Sequence, residues 1–248
     1  MKLKENEVLN YLLAHEHLKI IQRKDMFNFS LDTVLLANFC TLNKDMHTIV
    51  DLGTNNGAIP LLLTTRCDKS IIGVEIQEEA VEVARRNVEL NGLQSQITIV
   101  HENMKDYVKE HHKSCHLVLC NPPFFKMGEK SNINESPYLT IARHEVKVTL
   151  DEIVATARGL LEYRGRFAMV HRPSRLIEII EAMKKNDIEP KRLRLVYPKV
   201  GKEANVVLIE GIYKGQPGLK IEPPLYAHEA DGSYTKEVRK MFGEKFDE

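Results

Sequence analysis

Short apolar runs alternate with amphipathic stretches through most of the chain. HTIVDL (His47 to Leu52) ends at a glycine-containing turn, and AIPLLLTTR continues from it with the pattern of a helix. SIIGVE (Ser70 to Glu75) predicts a second strand. From Gln77 to Asn91 the residues Ala80, Val83, Ala84, Val88 and Leu90 mark an amphipathic helix, which Asn91-Gly92 stops. QITIV (Gln96 to Val100) predicts a third strand, Met104 to His111 a short helix, and CHLVLC (Cys115 to Cys120) a fourth strand. A long polar stretch, Lys126 to Lys147, separates these from a helix over Leu150 to Leu161 and a fifth strand, RFAMVH (Arg166 to His171). Pro173 then sits where a first helical turn tolerates it, and Arg175 to Lys185 reads as a helix.

Strands alternating with helices of this length imply right-handed crossovers and a parallel sheet covered on both faces. Late in the chain the pattern changes. RLRLVYP (Arg192 to Pro198) and ANVVLIEGIY (Ala204 to Tyr213) are joined by a short polar connection, so an antiparallel hairpin closes the sheet. Ahead of the first strand, LKIIQ and MFNFS flank the polar RKD and predict a small hairpin; LDTVLLANF then reads as a helix with Ser30 as its N-cap. The expected organisation is a hairpin and helix over the mouth of the sheet (1–45), one α/β domain (46–213) and a C-terminal tail (214–248) without an assigned role.

Composition narrows the class. The 248 residues carry 35 Lys plus Arg and 35 Asp plus Glu, so a polyanion site must be a local patch. No apolar run approaches the roughly 20 residues that span a bilayer, and charges interrupt the N-terminal MKLKENEVLNYLLAHEHLKI every few residues, unlike a signal peptide. Cys40, Cys67, Cys115 and Cys120 lack C-x-x-C spacing and read as reduced, mostly buried thiols. The neighbours His111 and His112 read as a solvated helix end, so no metal site is expected. A soluble cytoplasmic protein, with no membrane association and no obligatory protein partner, is the expectation.

Two stretches carry candidate chemistry. In VDLGTNNGAIP, Asp51 stands at a strand end, Gly53 and Gly57 lie in the turn, and a helix follows directly. Glycine and asparagine accept positive φ, which lets the turn be sharp and a ligand approach the backbone. Glu75, at the end of the second strand, is placed to accept hydrogen bonds from the hydroxyls of a ribose. The loop is not the G-x-G-x-x-G of dinucleotide folds.

The second stretch is LVLCNPPFFK, Leu117 to Lys126, where a buried strand runs into an asparagine, two prolines and two phenylalanines. Two prolines stop a sheet ladder and hold the next residues stiff. An exocyclic amine of a nucleobase is a poor nucleophile because its lone pair is delocalised into the ring. The side-chain oxygen of Asn121 and the carbonyl of Pro122 would each accept one amino hydrogen and favour a tetrahedral nitrogen. Phe124 would stack on the base, a contact of roughly 1 to 3 kcal/mol.

The glycine loop resembles the D-x-G-x-G-x-G of S-adenosyl-L-methionine-dependent methyltransferases, with Asn55 where the middle glycine is usual, and NPPF resembles the N-P-P-[FY] amino-methyltransferases. With FSLDTVLLANF (Phe29 to Phe39), NPPFFK and ARHE (Ala142 to Glu145), the chain is most similar to the bacterial family that methylates adenine N6 beside the anticodon of a valine tRNA. The resemblance implies a Rossmann-like, seven-stranded methyltransferase sheet. It also implies S-adenosyl-L-methionine as cofactor, held by Asp51, Gly53, Asn55, Gly57 and Glu75, with Asp32 and Thr33 near its methionine end. Asn103 and Met104 would lie by its adenine, with Asp106 an alternative to Asn103, and Asn121 would face its reactive end. Asn121, Pro122 and Phe124 would be catalytic. Phe124, Lys126, Arg143 and His144 would bind the substrate RNA, expected to be tRNA. A second basic run, Lys184 to Lys202, reads equally as an RNA surface or a solvated face. Methylation of guanine N2 in rRNA or of a protein glutamine, or RNA binding without catalysis, stay open as alternatives.

Overall fold

The computed structural model describes residues 3–26, 28–122 and 148–246. Its sheet is built on five parallel strands, β3 (Thr48–Leu52), β4 (Ser70–Glu75), β5 (Ile97–His101), β6 (Cys115–Cys120) and β7 (Leu161–His171). β8 (Ile188–Tyr197) and β9 (Val206–Tyr213) form the predicted hairpin, and β9 inserts antiparallel between β7 and β8. The spatial order β8-β9-β7-β6-β3-β4-β5 is the expected seven-stranded arrangement. Two short strands of the tail, β10 (Lys220–Ile221) and β11 (Leu225–Tyr226), pair parallel with the outer edge of β8 and widen the sheet to nine strands.

Successive strand residues feed opposite cores, which explains why the strands read as continuous apolar runs rather than alternating ones. Ile49, Ile71, Leu117, Leu119, Ala168 and Leu208 face α1 (Leu31–Phe39), α2 (Ala58–Thr64) and α3 (Glu78–Leu90). Val50, Val74, Val118, Phe167, Met169 and Ile209 face α4 (Met104–Glu110), α5 (Leu150–Leu160) and α6 (Leu176–Lys185). Among the described residues, no helix is long and apolar enough to cross a membrane. All four cysteines are free thiols; burial pushes those of Cys40, Cys115 and Cys120 well up.

Two strands start earlier than the pattern predicts. β7 begins at Leu161, directly after α5, where Leu161 pairs with Cys115; Glu162, Tyr163 and Arg164 carry no apolar period to signal it. β8 begins at Ile188 in spite of Pro190, whose missing N–H is absorbed by a register shift between Pro190 and Arg192.

The N-terminal hairpin is real but misplaced by the sequence reading. It pairs β1 (Glu7–Leu12) with β2 (His15–Arg23), turning at Leu13, which adopts φ 61°. The polar RKD closes the open end instead: Arg23 bonds Asp25 at 2.7 Å, and Asn6 donates to the same carboxylate at 2.9 Å. β1 exposes four consecutive positions between two buried ones, so its sequence carries no strand period.

In the basic run from Lys184, Arg192 and Arg194 are partly buried ties, while Lys184, Lys185 and Lys202 are exposed. Glu210, fully buried on β9, accepts from the Thr41 amide and hydroxyl at 2.7 Å each, and from Arg166 at 2.8 Å. Arg192 lies over the Phe39 ring, donates to the Thr41 hydroxyl at 2.6 Å and pairs with Glu222. Arg194 pairs with Glu237 of α7 (Lys236–Met241), Lys184 with Glu189, and Lys185 with Asp151. These side chains tie helices and tail to the sheet.

Candidate active site

The parallel strands all end at one edge of the sheet, and registers Leu52 to Val74, Leu52 to Cys120 and Glu75 to His101 bring the loops after β3, β4, β5 and β6 side by side. The loop after β3 is wound by three positive-φ residues, Gly53 at 72°, Asn55 at 49° and Gly57 at 80°. Asn55 therefore holds the backbone angle of the glycine it replaces. At Gly53 a Cβ would meet nothing within 4 Å, so the backbone there lies open to a ligand. The Gly53 and Thr54 amides both donate to the Val74 carbonyl, and Gly57, in left-handed conformation, starts α2.

Glu75 is the staple of this loop. It is buried, and its carboxylate accepts from the backbone amides of Asn55 at 2.9 Å, Ile76 at 2.9 Å and Gln77 at 3.0 Å. A carboxylate has about four acceptor sites, so the three bonds leave one for a ligand. Burial raises the Glu75 pKa and those amides oppose it.

Asp51 is fully buried, and neither of its oxygens has a hydrogen-bond partner among the described residues. Burial pushes its carboxyl up to about 7, with the Glu75 carboxylate adding to the rise and the nearby Thr54 hydroxyl opposing it. A buried unpaired carboxylate is costly. The orphaned oxygens, beside a loop with an open glycine backbone, fit a site completed by a ligand that brings its own donors or positive charge.

At the tip of β6, Asn121 is partly buried and Pro122 buried. The Asn121 amide donates to the hydroxyl of Thr33 at 3.3 Å, and Thr33 itself is buried in the first turn of α1, after the predicted N-cap Ser30. Asp32, next to it, is pushed up by burial and held back by the positive charge of Arg172. Asn103 follows β5 as the N-cap of α4, accepting from the Lys105 amide at 2.9 Å. Met104 packs on the second core, and Asp106 pairs with Lys109 on the surface at 2.6 Å. Phe124, Lys126, Arg143 and His144, with Lys130 and Lys147, lie outside the described residues.

The sequence reading missed three contributors. Gly73, in the middle of β4, admits the Thr54 side chain, which a Cβ would meet at 2.7 Å; a glycine inside a strand is the signal for such an approach. Asn56 is buried with its side-chain nitrogen unpartnered among the described residues. Asn87, fully buried on α3, donates to the Asn56 carbonyl at 2.9 Å. Its signal is a polar residue inside the apolar stripe of α3.

Residues 30–186 match the methyltransferase small domain family model. The chain belongs to the methyltransferase small domain family. It is therefore an S-adenosyl-L-methionine-dependent methyltransferase, and the family resemblance read in the sequence extends to named relatives. The chain is 27% identical over 205 residues to a tRNA1(Val) (adenine(37)-N6)-methyltransferase of Aliivibrio salmonicida, covering 82% of this chain and 84% of the relative. A Shewanella sediminis protein of the same name is 23% identical, covering 85% and 88%. Among solved structures, an Agrobacterium tumefaciens protein described as a predicted O-methyltransferase superposes with TM-score 0.69 at 22% identity, covering 86% of this chain and 95% of that one. Pyrococcus horikoshii TYW2 in complex with MeSAdo superposes with TM-score 0.60 at 13% identity, covering 86% and 73%. These structures share the fold.

Proposed function

We propose that this methyltransferase modifies the exocyclic N6 amine of an adenine in RNA, the substrate being a tRNA and the position an adenine near the anticodon. The observation that carries the reading is the tip of β6, where Asn121 is tethered to Thr33 through its amide nitrogen. That tether leaves the side-chain oxygen without a partner among the described residues, and Pro122 holds the adjoining carbonyl on a stiff backbone. Two fixed acceptors hold an amine by both hydrogens and turn its lone pair out of the ring plane, so stabilisation comes from preorganised dipoles rather than from a strong base. The relatives' names favour adenine and tRNA over guanine in rRNA or a protein glutamine.

The residues assigned to S-adenosyl-L-methionine are Asp51, Gly53, Asn55, Gly57 and Glu75, with Asp32, Thr33, Asn103 and Met104 around them. When bound, the cofactor supplies an electrophilic methyl group on a sulfonium. The unpaired Asp51 carboxylate and the remaining acceptor site of Glu75 supply the polar contacts a nucleoside with an attached amino acid needs. Phe124 is assigned to stacking on the base, and Lys126, Arg143 and His144 to the RNA backbone. An anticodon-loop adenine is unpaired, so turning it into the site costs little. Work on tRNA places the protein in the cytoplasm.

The test is incubation of the protein with labelled cofactor and total tRNA and rRNA from a strain that lacks it, followed by nucleoside analysis. Label in N6-methyladenosine from tRNA is expected. Label in N2-methylguanosine from rRNA, or none in RNA with methylation of a protein glutamine, would overturn the reading.

A further inference from the structure

Among the described residues no strand lies beside the outer edge of β2, yet the peptide groups of Lys19 and Ile21 there are paired. Asn91 accepts from the Lys19 amide at 2.8 Å and donates to the Lys19 carbonyl at 2.7 Å. One helical turn earlier, Asn87 accepts from the Ile21 amide at 2.6 Å and donates to the Ile21 carbonyl at 3.2 Å. Residues four apart share one face of a helix, and residues two apart share one edge of a strand. Two side-chain amides, one on α3 and one at its C-cap, therefore do for β2 what a neighbouring strand would do. Glu7 of β1 adds a buried pair with Arg86 at 2.5 Å, and Lys4 pairs with Glu82, so α3 holds the outer side and open end of the hairpin, while its tip bonds the tail through Ala14 and Phe242.

The two asparagines differ in one respect. The second amide hydrogen of Asn91 goes back into its own helix, to the Asn87 carbonyl at 2.7 Å. That of Asn87 goes to the carbonyl of Asn56 at 2.9 Å, between Asn55, whose amide Glu75 holds, and Gly57, which opens α2. Asn87 is fully buried, so no water competes for these bonds.

We propose that Asn87 is a positioning residue for the cofactor: it fixes the loop after β3 through the Asn56 carbonyl, and it makes the N-terminal hairpin and that loop one mechanical unit. Glu75 holds the peptide N–H that enters Asn55, and Asn87 holds the carbonyl that leaves Asn56, so the two-residue segment is clamped at both ends. With both in place the loop is set before a ligand arrives, which removes an ordering cost from binding. Filling the site then tightens the hairpin as well, because the two share one amide.

Calorimetry with S-adenosyl-L-homocysteine, well below the melting temperatures of all the proteins compared, tests the assignment without turnover. The wild-type Kd, measured first, tests the cofactor reading on its own. Asn87→Ala is expected to raise that Kd tenfold or more. Val88→Ala, which removes buried apolar contact from the same turn of α3 without touching the loop, is expected to leave it within twofold. Equal Kd values for the two variants, or losses that merely follow their melting temperatures, would reduce Asn87 to a structural asparagine and overturn the proposal. Hydrogen exchange on the wild type needs no variant to fold. Adding S-adenosyl-L-homocysteine is expected to slow exchange at residues 19–21 of the hairpin together with the loop at 53–57. Protection confined to the loop would overturn the coupling.

Discussion

Asn121 at the tip of β6 and Thr33 in the first turn of α1 are joined by one hydrogen bond of 3.3 Å, across most of the width of the site's sequence. The bond sets which face of the Asn121 amide looks outward, because the nitrogen is committed and the oxygen is left over. On the proposed role of Asn121, helix α1 would act on the chemistry through orientation.

Thr33→Val should therefore lower kcat at saturating cofactor. A neutral hydrogen bond contributes about 0.5 to 1.5 kcal/mol, so a fall of roughly threefold to tenfold is expected, and Thr33→Ser should restore most of it. Single-turnover rates at saturating cofactor are the measurement; a Thr33→Val enzyme with wild-type rates would show that the Asn121 amide holds its orientation unaided.

Glu75→Ala should damage fold and cofactor binding together. The carboxylate accepts three backbone amides and so stabilises the loop before any ligand is present. Hydrogen bonds to a charged group contribute about 1.5 to 3 kcal/mol, and in a chain of this size each kcal/mol moves Tm by about 2 to 4 °C. A melting point about 3 to 12 °C lower is expected in the absence of ligand, with cofactor affinity weakened at least tenfold. A variant that melts like wild type would mean the loop does not need the staple.

The geometry of the turn after β3 and the sheet were legible in the sequence because each depends on local chemistry. Glycine and asparagine at 53, 55 and 57 announce positive φ, and apolar runs of strand length announce a doubly covered sheet. The N-terminal hairpin was half legible: β2 was seen through LKIIQ, but β1 exposes four of its six residues, and the hairpin is held from a distant helix, β2 by Asn87 and Asn91 and β1 by Arg86. No local pattern carries a strand whose partners are side chains far along the chain. Two members of the basic run from Lys184 were illegible for the same reason: Arg192 and Arg194 find their carboxylates in β9 and the tail.

Asp51 should make cofactor binding depend on pH. Its folded carboxyl titrates near 7, above the 3.8 of the free group, so the folded protein binds the proton more tightly than the unfolded chain. This group's contribution to stability is present below about pH 4 and is lost as pH rises through 7, when the buried carboxyl must ionise without a partner. A cationic ligand needs the ionised form, so affinity should run the other way. Between pH 5.5 and 7 the Kd for S-adenosyl-L-methionine should fall by on the order of tenfold, a range kept below the α-amino pKa of about 7.7 to 8. Asp51→Asn should bind more weakly at pH 7 and show a flat profile over the same range; a slope that survives in this variant would assign the titration to another group.

Glu210→Ala should separate stability from function. Its carboxylate is fully buried and pairs with Arg166 and Arg192 behind the sheet's mouth. Removing one member of a buried ionic cluster costs about 3 to 5 kcal/mol because its partners stay desolvated. Denaturant melts should show a loss of that size, while cofactor Kd at low temperature stays within about twofold of wild type. A large change in Kd would connect this cluster to the site.

The amine-aligning role proposed for Asn121 leads to the sharpest expectation. The side chain is only partly buried and, among the described residues, makes one hydrogen bond. Asn121→Ala should accordingly fold, melt within a few degrees of wild type and bind S-adenosyl-L-methionine normally. Its kcat should drop by about 10² to 10³, the cost of removing one preorganised polar group from an active site. KM for RNA should change little, because the lost contact matters most when the amine turns tetrahedral. Phe124→Ala should instead impair KM and kcat together, since a stacking platform both binds and orients the base, and Phe124→Tyr should be mild. If Asn121→Ala raises KM and spares kcat, the asparagine binds substrate without aligning it. If the variant is merely unstable, Asn121-Pro122 is a strand terminator, and the amine must be activated elsewhere in the site.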